Sequence, residues 1–193
     1  MIKIILATSN PHKLEEIKAI NTNPEIIFDV VKGNFNPDEN GSTFKENALI
    51  KAKEAAKITK TYCLADDSGL CVNALEGLPG IHSARYAKTQ QEKINKLLNK
   101  LKMVPYDYRG AHFICSMVLV DNEGNPVHHE EGRIYGYIDD TPKGTNGFGY
   151  DPVFFVPEYN KTIAQLPEEI KNNISHRANA LKPMLEWIKE NLL

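Results

Sequence analysis

The chain has 193 residues, of which 41% are hydrophobic and 25% are charged, as in ordinary globular proteins with one buried core. We expect a single domain over residues 1–193, with two lobes and no separable linker. The net charge of −2 excludes a general attraction to nucleic acid or to an anionic membrane, so any anion-binding site must be local. The apolar run after Met1 is too short for a signal peptide, and three scattered cysteines suggest no metal or redox motif, which favours a cytoplasmic protein.

The first part of the chain alternates predicted strands and helices. Residues 3–7 form an apolar run typical of a buried strand, and a helix is expected to follow with Asn10 as its N-cap. Residues 25–31 predict a second strand. Residues 43–46 read Thr-Phe-Lys-Glu, a capping box that opens a helix reaching about Lys60.

The second part predicts antiparallel strands between further helices. Residues 89–92 repeat the capping-box pattern. Residues 111–120 and 127–138 flank a polar turn and predict a long hairpin, and residues 153–156 predict one more strand. The last helix is expected to begin after Ser175. Together these elements predict an α/β fold, an elongated mixed β-sheet with flanking helices.

Two adjacent carboxylates, Asp66 and Asp67, precede Ser68-Gly69 at the point where an apolar strand is expected to end. Because side chains alternate across a strand, the two carboxylates should point to opposite faces. Carboxylates at a strand end lie where open α/β sheets bind ligands, and their oxygens suit a hard divalent ion. Asp and Ser-Gly are also ordinary turn formers, so the pattern alone leaves a turn and a catalytic site as equal alternatives.

Basic residues stand in the first turn of two predicted helices, Lys13 in one and His176 with Arg177 in the other. Their positive charge has the same sign as the partial charge of a helix N-terminus, which normally favours acidic residues. Free N–H groups, the helix dipole and basic side chains together make a phosphate site, so the pair of helices predicts a bound anion. Lys51 and Lys171 are weaker candidates for the same site. For each residue taken singly, a solvated surface cation is the alternative.

A glycine-rich loop over residues 144–152 combines backbone freedom with Phe148, Tyr150 and Asp151. Glycines let a loop approach a flat ligand, aromatic rings offer stacking faces, and backbone amides or a carboxylate can bind a base edge. The alternative is a turn whose two aromatic rings fill the core. The composition of the loop does not decide between them.

Taken together, these motifs resemble the inosine triphosphate pyrophosphatase family, which hydrolyses non-standard purine nucleoside triphosphates. Many members carry glycine where this chain has Ser9, and that side chain slightly crowds the phosphate loop. The matching segments, in the family's order from residue 7 to residue 177, are Ala7-Thr8-Ser9-Asn10-Pro11-His12-Lys13 with Glu15 or Glu16 after it, Thr43-Phe44-Lys45-Glu46-Asn47-Ala48 with Lys51-Ala52, Ala65-Asp66-Asp67-Ser68-Gly69-Leu70, Gly77-Leu78-Pro79-Gly80 with Ser83-Ala84-Arg85-Tyr86, Phe148-Gly149-Tyr150-Asp151-Pro152, and Lys171-Asn172 with Ser175-His176-Arg177.

The resemblance implies a two-lobed α/β fold with a central substrate cleft, a homodimer, and Mg²⁺, or Mn²⁺ in its place. The implied reaction splits inosine, deoxyinosine or xanthosine triphosphate (ITP, dITP, XTP) into the nucleoside monophosphate and pyrophosphate. Arg177 would recognise the 6-oxo group of the base. The implied contacts are Thr8, Ser9, Asn10, Pro11, His12 and Lys13 to phosphates, Lys51 and Lys171 to the nucleotide, Ser68 beside the catalytic Asp67, and Phe148, Gly149, Tyr150, Asp151, His176 and Arg177 around the base and sugar.

Hydrolysis of a phosphoanhydride requires neutralised phosphate charge and an activated water. We expect Asp67 to be the general base and a Mg²⁺ ligand, with Glu39 as the second metal ligand, because Glu39 lies in a polar loop without a local structural duty. Asp66 and Glu46 are weaker candidate metal ligands. Helix capping already accounts for a glutamate at position 46. The alternatives are a nucleotide- or RNA-binding module without chemistry and a hydrolase that releases orthophosphate.

Overall fold

The computed structural model describes residues 1–193 and contains seven strands and five α-helices. None of the helices has the length and apolar character needed to cross a membrane. The strands are β1 (Ile2–Leu6), β2 (Ile26–Val30), β3 (Cys63–Val72), β4 (Gly110–Val120), β5 (Pro126–Ile138), β6 (Phe154–Val156) and β7 (Lys161–Thr162). The helices are α1 (Pro11–Ile20), α2 (Phe44–Thr59), α3 (Gln90–Leu101), α4 (Glu168–Ile174) and α5 (His176–Leu192).

The strands form one mixed sheet in the order β2-β1-β3-β4-β5-β6-β7. β1 pairs in parallel with β2 and with β3, whereas β6 pairs antiparallel with β5 and with β7. Parallel neighbours need a crossover, and α1 and α2 supply the helical connections from β1 to β2 and from β2 to β3. The predicted α/β fold with a mixed sheet and flanking helices is confirmed.

The chain forms two compact units. Unit 1 comprises residues 1–67, 115–132 and 176–193, and unit 2 comprises residues 68–114 and 133–175. In unit 1, alternate residues of β1 enter two apolar clusters. Ile4 and Leu6 pack with α1 and α5, whereas Ile5 and Ala7 pack with α2. Because strand side chains alternate, α1 and α5 lie on one face of the sheet and α2 lies on the other.

Unit 2 has its own core, formed around α3. Ile94, Leu97 and Leu101 of this helix are buried, together with residues of β4 and β5 such as Phe113 and Ile134. The helix begins with the predicted capping box, in which Thr89 and Glu92 satisfy each other's backbone N–H groups. The amphipathic pattern therefore predicted both the start of α3 and its buried face.

The predicted end of the third strand at Ser68-Gly69 is wrong. β3 continues through these residues to Val72, so the two carboxylates lie in the middle of a ten-residue strand. Leu70 and Val72 are completely buried in the core of unit 2. Burial of these apolar residues outweighs the local turn preference of the Asp-Asp-Ser-Gly sequence. The sequence also gave no indication of α4, the helix in which Lys171 lies.

Candidate active site

Asp66 and Asp67 point to opposite faces of the sheet, as predicted. Asp66 contacts Lys13 of α1 and Arg177 of α5, whereas Asp67 contacts Lys51 of α2. These are the same faces that the apolar residues of β1 define. The two neighbouring carboxylates therefore make direct contacts with different cations, and we describe them as two groups, although Lys13 also acts on Asp67 through space.

The first group, the Asp67 group, consists of Glu39, Lys51 and Asp67. Lys51 Nζ lies 2.9 Å from Glu39 Oε2 and 3.4 Å from Asp67 Oδ1. The second oxygen of Asp67, Oδ2, is buried and has no hydrogen-bond partner. Asp67 is thus held through one oxygen, and its other oxygen has no hydrogen-bond partner within the chain.

The electrostatics of the Asp67 group suit a general base beside a cation. Burial raises the pKa of Asp67 above its ordinary value, although Lys51 and Lys13 oppose this effect. Burial alone would lower the pKa of Lys51, but the surrounding carboxylates outweigh it, and the net pKa of Lys51 is raised. A raised carboxyl pKa makes Asp67 a better proton acceptor, while Lys51 keeps its charge.

The donor set of the Asp67 group fits an open Mg²⁺ site rather than a closed one. Nowhere in the chain do three His, Cys, Asp or Glu side chains come together as a metal cage. Mg²⁺ in enzymes commonly takes one or two carboxylates and completes its octahedron with waters and substrate phosphates. Glu39 and the unpartnered Oδ2 of Asp67 provide carboxylate oxygens of this kind. By contrast, the carboxylate of Glu46 accepts hydrogen bonds from the N–H and the hydroxyl of Ser42, each at 2.7 Å.

The second group, the Asp66 cluster, consists of Lys13, Glu16, Asp66 and Arg177. Asp66 Oδ2 lies 3.0 Å from Lys13 Nζ and 3.2 Å from Arg177 Nη2, and Arg177 Nη1 donates to Glu16 Oε2. Burial would lower the pKa of Arg177, but Asp66 and Glu16 outweigh this effect and raise it, so the guanidinium is charged. The side chain of Arg177 is buried with both of its terminal nitrogens bound to carboxylates.

The Asp66 cluster changes the interpretation of the basic helix starts. Lys13 and Arg177 stand in the first turns of α1 and α5, which contain no acidic residue. In the structure, both cations meet the carboxylate of Asp66. An anion of the protein itself therefore accounts for both positions, and they do not by themselves require a bound phosphate. Recognition of a base by Arg177 stays a prediction.

Two further residues shape this cluster, Glu16, which the resemblance offered as an alternative to Glu15, and Gly132, which the sequence analysis did not name. Glu16 lies beside Ile17 on the buried face of α1, and a charge within that apolar stripe was the available signal. Gly132 of β5 lies directly against the first turns of α5, where a Cβ atom would overlap the backbone of His176 and Ala180. The absence of a side chain at Gly132 lets α5 approach the sheet closely enough for Arg177 to contact Asp66.

The predicted phosphate segment follows β1 and caps α1. Thr8 Oγ1 accepts a hydrogen bond from the N–H of Asn10, and Asn10 Oδ1 accepts one from the N–H of His12, at 3.1 and 3.0 Å. Asn10 is thus the N-cap that the sequence predicted, with Pro11 at the first helical position. Ser9, Pro11 and His12 are exposed, so the surface at the start of α1 is open to solvent.

In unit 2, the glycine-rich loop surrounds a buried ion pair. Asp151 Oδ2 accepts from Lys171 Nζ at 2.9 Å and from the N–H of Phe148 at 3.0 Å. Lys171 Nζ also lies 4.7 Å from the centroid of the Phe148 ring. Gly147 has φ +73°, and a side chain there would overlap the Asp151 carboxylate. The loop therefore brings Phe148 and Asp151 against Lys171 of α4, and contact of these residues with a nucleotide stays a prediction.

The two aromatic rings of this loop have different surroundings. Tyr150 is buried in the core of unit 2, and its hydroxyl donates to the carbonyl oxygen of Ser83 at 2.9 Å. Burial raises the pKa of Tyr150. Tyr150 thus follows the alternative in which an aromatic ring fills the core, whereas Phe148 is half-buried and keeps a ring face beside Lys171. Ser68 is also half-buried, and His176 is buried at the start of α5.

The fold and these side chains define an α/β protein with carboxylate and lysine groups suited to a phosphorylated substrate. Residues 4–187 match the Ham1 family, and the chain therefore belongs to that family.

Relatives and solved structures match the chain over almost its whole length. It is 45% identical to the dITP/XTP pyrophosphatase of Treponema denticola, over 97% of this chain and 99% of that protein. It is also 45% identical to the dITP/XTP pyrophosphatase of Shigella flexneri, over 98% of this chain and 99% of that protein. The structure of a HAM1 protein from Coxiella burnetii superposes with a TM-score of 0.88 at 42% identity, covering 98% of this chain and 100% of that one. The Staphylococcus aureus Ham1 protein gives a TM-score of 0.87 at 40% identity, covering 98% and 99%.

Proposed function

We propose that this protein hydrolyses non-standard purine nucleoside triphosphates, namely ITP, dITP and XTP. The products are the nucleoside monophosphate and pyrophosphate, so the reaction removes these nucleotides from the pool. The named activity of relatives that match nearly the whole chain supports the substrate class. The observation that carries the chemistry is the buried Asp67 carboxylate, which has one unpartnered oxygen and lies beside Lys51.

In the proposed mechanism, Asp67 accepts a proton from the attacking water while lysines neutralise the phosphates. Its raised pKa favours proton transfer from water, as a general base requires. Lys51 and Lys13 contact phosphate oxygens and offset the charge that repels the nucleophile. Mg²⁺, or Mn²⁺ in its place, would be held by Asp67 and Glu39 and would further neutralise the phosphate oxygens.

The proposed site for the base lies in the glycine-rich loop of unit 2. The Phe148 ring offers a stacking face, and Lys171 and Asp151 offer a donor and an acceptor for the base and sugar. We also propose, as the resemblance implies, that His176 and Arg177 contact the base and sugar, with Arg177 recognising the 6-oxo group that hypoxanthine and xanthine share. We further propose that the protein is a cytoplasmic homodimer, as the resemblance implies, and sedimentation velocity would test the dimer.

The decisive experiment is a panel of nucleoside triphosphates, assayed with and without Mg²⁺, whose products are identified by phosphorus NMR. We expect ITP, dITP and XTP to give pyrophosphate in the presence of Mg²⁺ much faster than ATP and GTP do. Equal rates on ATP and ITP would contradict the proposed selectivity, but the protein would still be a nucleoside triphosphate hydrolase. Orthophosphate as the first product would favour the alternative hydrolase, and binding without turnover would favour the binding module. The variant Asp67→Asn, prepared in the same way, controls for contaminating phosphatases.

A further inference from the structure

The mechanism above uses Lys13 and Arg177 of the Asp66 cluster but assigns no role to the carboxylates between and beside them. The four side chains form an alternating series of charges in the order Glu16, Arg177, Asp66, Lys13, and their formal charges sum to zero. The exposed fractions of these side chains are 8%, 2%, 3% and 15% in that order. Lys13 is therefore the solvent-facing end of a buried series.

Lys13 has a single ion-pair partner, the Oδ2 atom of Asp66 at 3.0 Å. An ammonium group has three N–H donors, so this contact leaves donors for a second acceptor. Lys13 also stands in the first turn of α1, where the helix dipole favours an anion. A lysine side chain without a fixed partner samples many rotamers, and ordering it on binding weakens affinity.

We infer that Asp66 is a positioning residue that holds the Lys13 ammonium at the start of α1 before a triphosphate binds. The ion pair between Asp66 and Lys13 is compatible with phosphate binding because Arg177 donates to the same Oδ2 atom. Arg177 thus shares the charge of the carboxylate, and Lys13 is not fully neutralised. Glu16 in turn balances Arg177. The inference rests on the proposed function, which assigns Lys13 to a phosphate.

A double-mutant cycle on binding of inorganic tripolyphosphate tests this inference. The probe carries no base, so recognition of a base does not enter, and calorimetry without added metal gives Kd in the absence of metal-dependent turnover. We expect Asp66→Asn and Lys13→Met each to raise Kd about tenfold, the order of a direct pairwise coupling. The double variant should bind no more weakly than Lys13→Met alone, because Asp66 has nothing to position once Lys13 is removed.

Glu16→Gln is the matched control, since it removes the same charge from the same cluster but contacts Arg177 rather than Lys13. We expect its Kd to stay within about twofold of that of the wild type. If circular dichroism shows that Asp66→Asn does not fold, Asp66→Glu replaces it in the cycle. That variant keeps the charge and moves it by one methylene, and it should also raise Kd about tenfold.

Four results would overturn the inference. They are a wild type that does not bind tripolyphosphate, an unchanged Kd in the Asp66 variant, a double variant in which the two effects multiply, and a Glu16→Gln variant that binds as weakly as the Asp66 variant. Release of pyrophosphate from ITP by the wild type tests the proposed function separately. If that release occurs and the effects still multiply, only the positioning role fails.

Discussion

The two faces of β3 give the same side chain two different environments. On one face, Asp66 meets two cations and is fixed between α1 and α5. On the other face, Asp67 meets one lysine through one oxygen, while its second oxygen is buried without a partner. Identical carboxylates on adjacent residues therefore differ in what they can do.

The difference shows how surroundings, rather than residue type, separate a structural carboxylate from a reactive one. Asp66 contacts two cations, whereas Asp67 contacts one. A carboxylate that burial has partly stripped of water has a raised pKa and accepts a proton more readily. We therefore expect changes on the Asp66 face to alter stability and positioning, and changes on the Asp67 face to alter turnover.

The largest effect on stability should come from removing Arg177. The variant Arg177→Met leaves Glu16 and Asp66 buried without their shared cation, although Asp66 keeps Lys13. Breaking a buried ion pair in this way typically costs about 3–5 kcal/mol. Urea denaturation should show a loss of that order in the free energy of unfolding. A loss close to zero would mean that the Asp66 cluster is not a structural element.

An effect of the opposite sign is expected from Asp67→Asn. Because the pKa of Asp67 is raised in the folded state, ionisation of this group disfavours folding, and the effect is fully present above the folded pKa. It disappears as the pH falls below the pKa of the unfolded chain. At neutral pH we expect the free energy of unfolding of the variant to equal that of the wild type or to exceed it by up to about 1 kcal/mol.

The difference in stability between Asp67→Asn and the wild type should shrink on acidification. Denaturation curves at several pH values between neutral and acidic conditions measure this trend. A variant that is clearly less stable at neutral pH would show that Asp67 supports the fold, and it would remove the contrast between the two faces.

The smallest effect should come from an exposed pair on β1 and β2. Lys3 Nζ lies 2.8 Å from Asp29 Oδ2, but both side chains are about half exposed. Water and salt screen such pairs, so their removal changes stability little. Lys3→Ala should leave the thermal midpoint unchanged, and it serves as the control for Arg177→Met. A large shift in this variant would mean that the effects of the buried pairs cannot be attributed to burial.

Local signals in the sequence predicted the features that depend on neighbouring residues. The N-cap at Asn10, the capping box at Thr89 and the opposite directions of Asp66 and Asp67 follow from backbone geometry within a few residues. The continuation of β3 beyond Ser68 was missed because burial of residues in unit 2, not local preference, decides it.

Long-range contacts explain the other differences between the prediction and the structure. Asp66 and Arg177 are separated by 111 positions, so no local pattern could show that they pair. The basic residues at the starts of two helices predict a bound anion. In the structure, Lys13 and Arg177 contact a carboxylate of the chain itself, that of Asp66. Composition also could not distinguish Tyr150 from Phe148, because only the packing of unit 2 buries one ring and leaves the other half-buried.

The most direct test of the contrast between the two faces is the turnover of Asp67→Asn and Asp66→Asn, measured side by side with saturating ITP and Mg²⁺. We expect Asp67→Asn to lower kcat by about 10²–10⁴, the usual contribution of a positioned general base, with its fold intact. Asp66→Asn should bind the triphosphate more weakly but keep kcat within about tenfold of the wild type. Near-normal turnover in Asp67→Asn, or an equally large loss of kcat in a folded Asp66→Asn, would contradict this account.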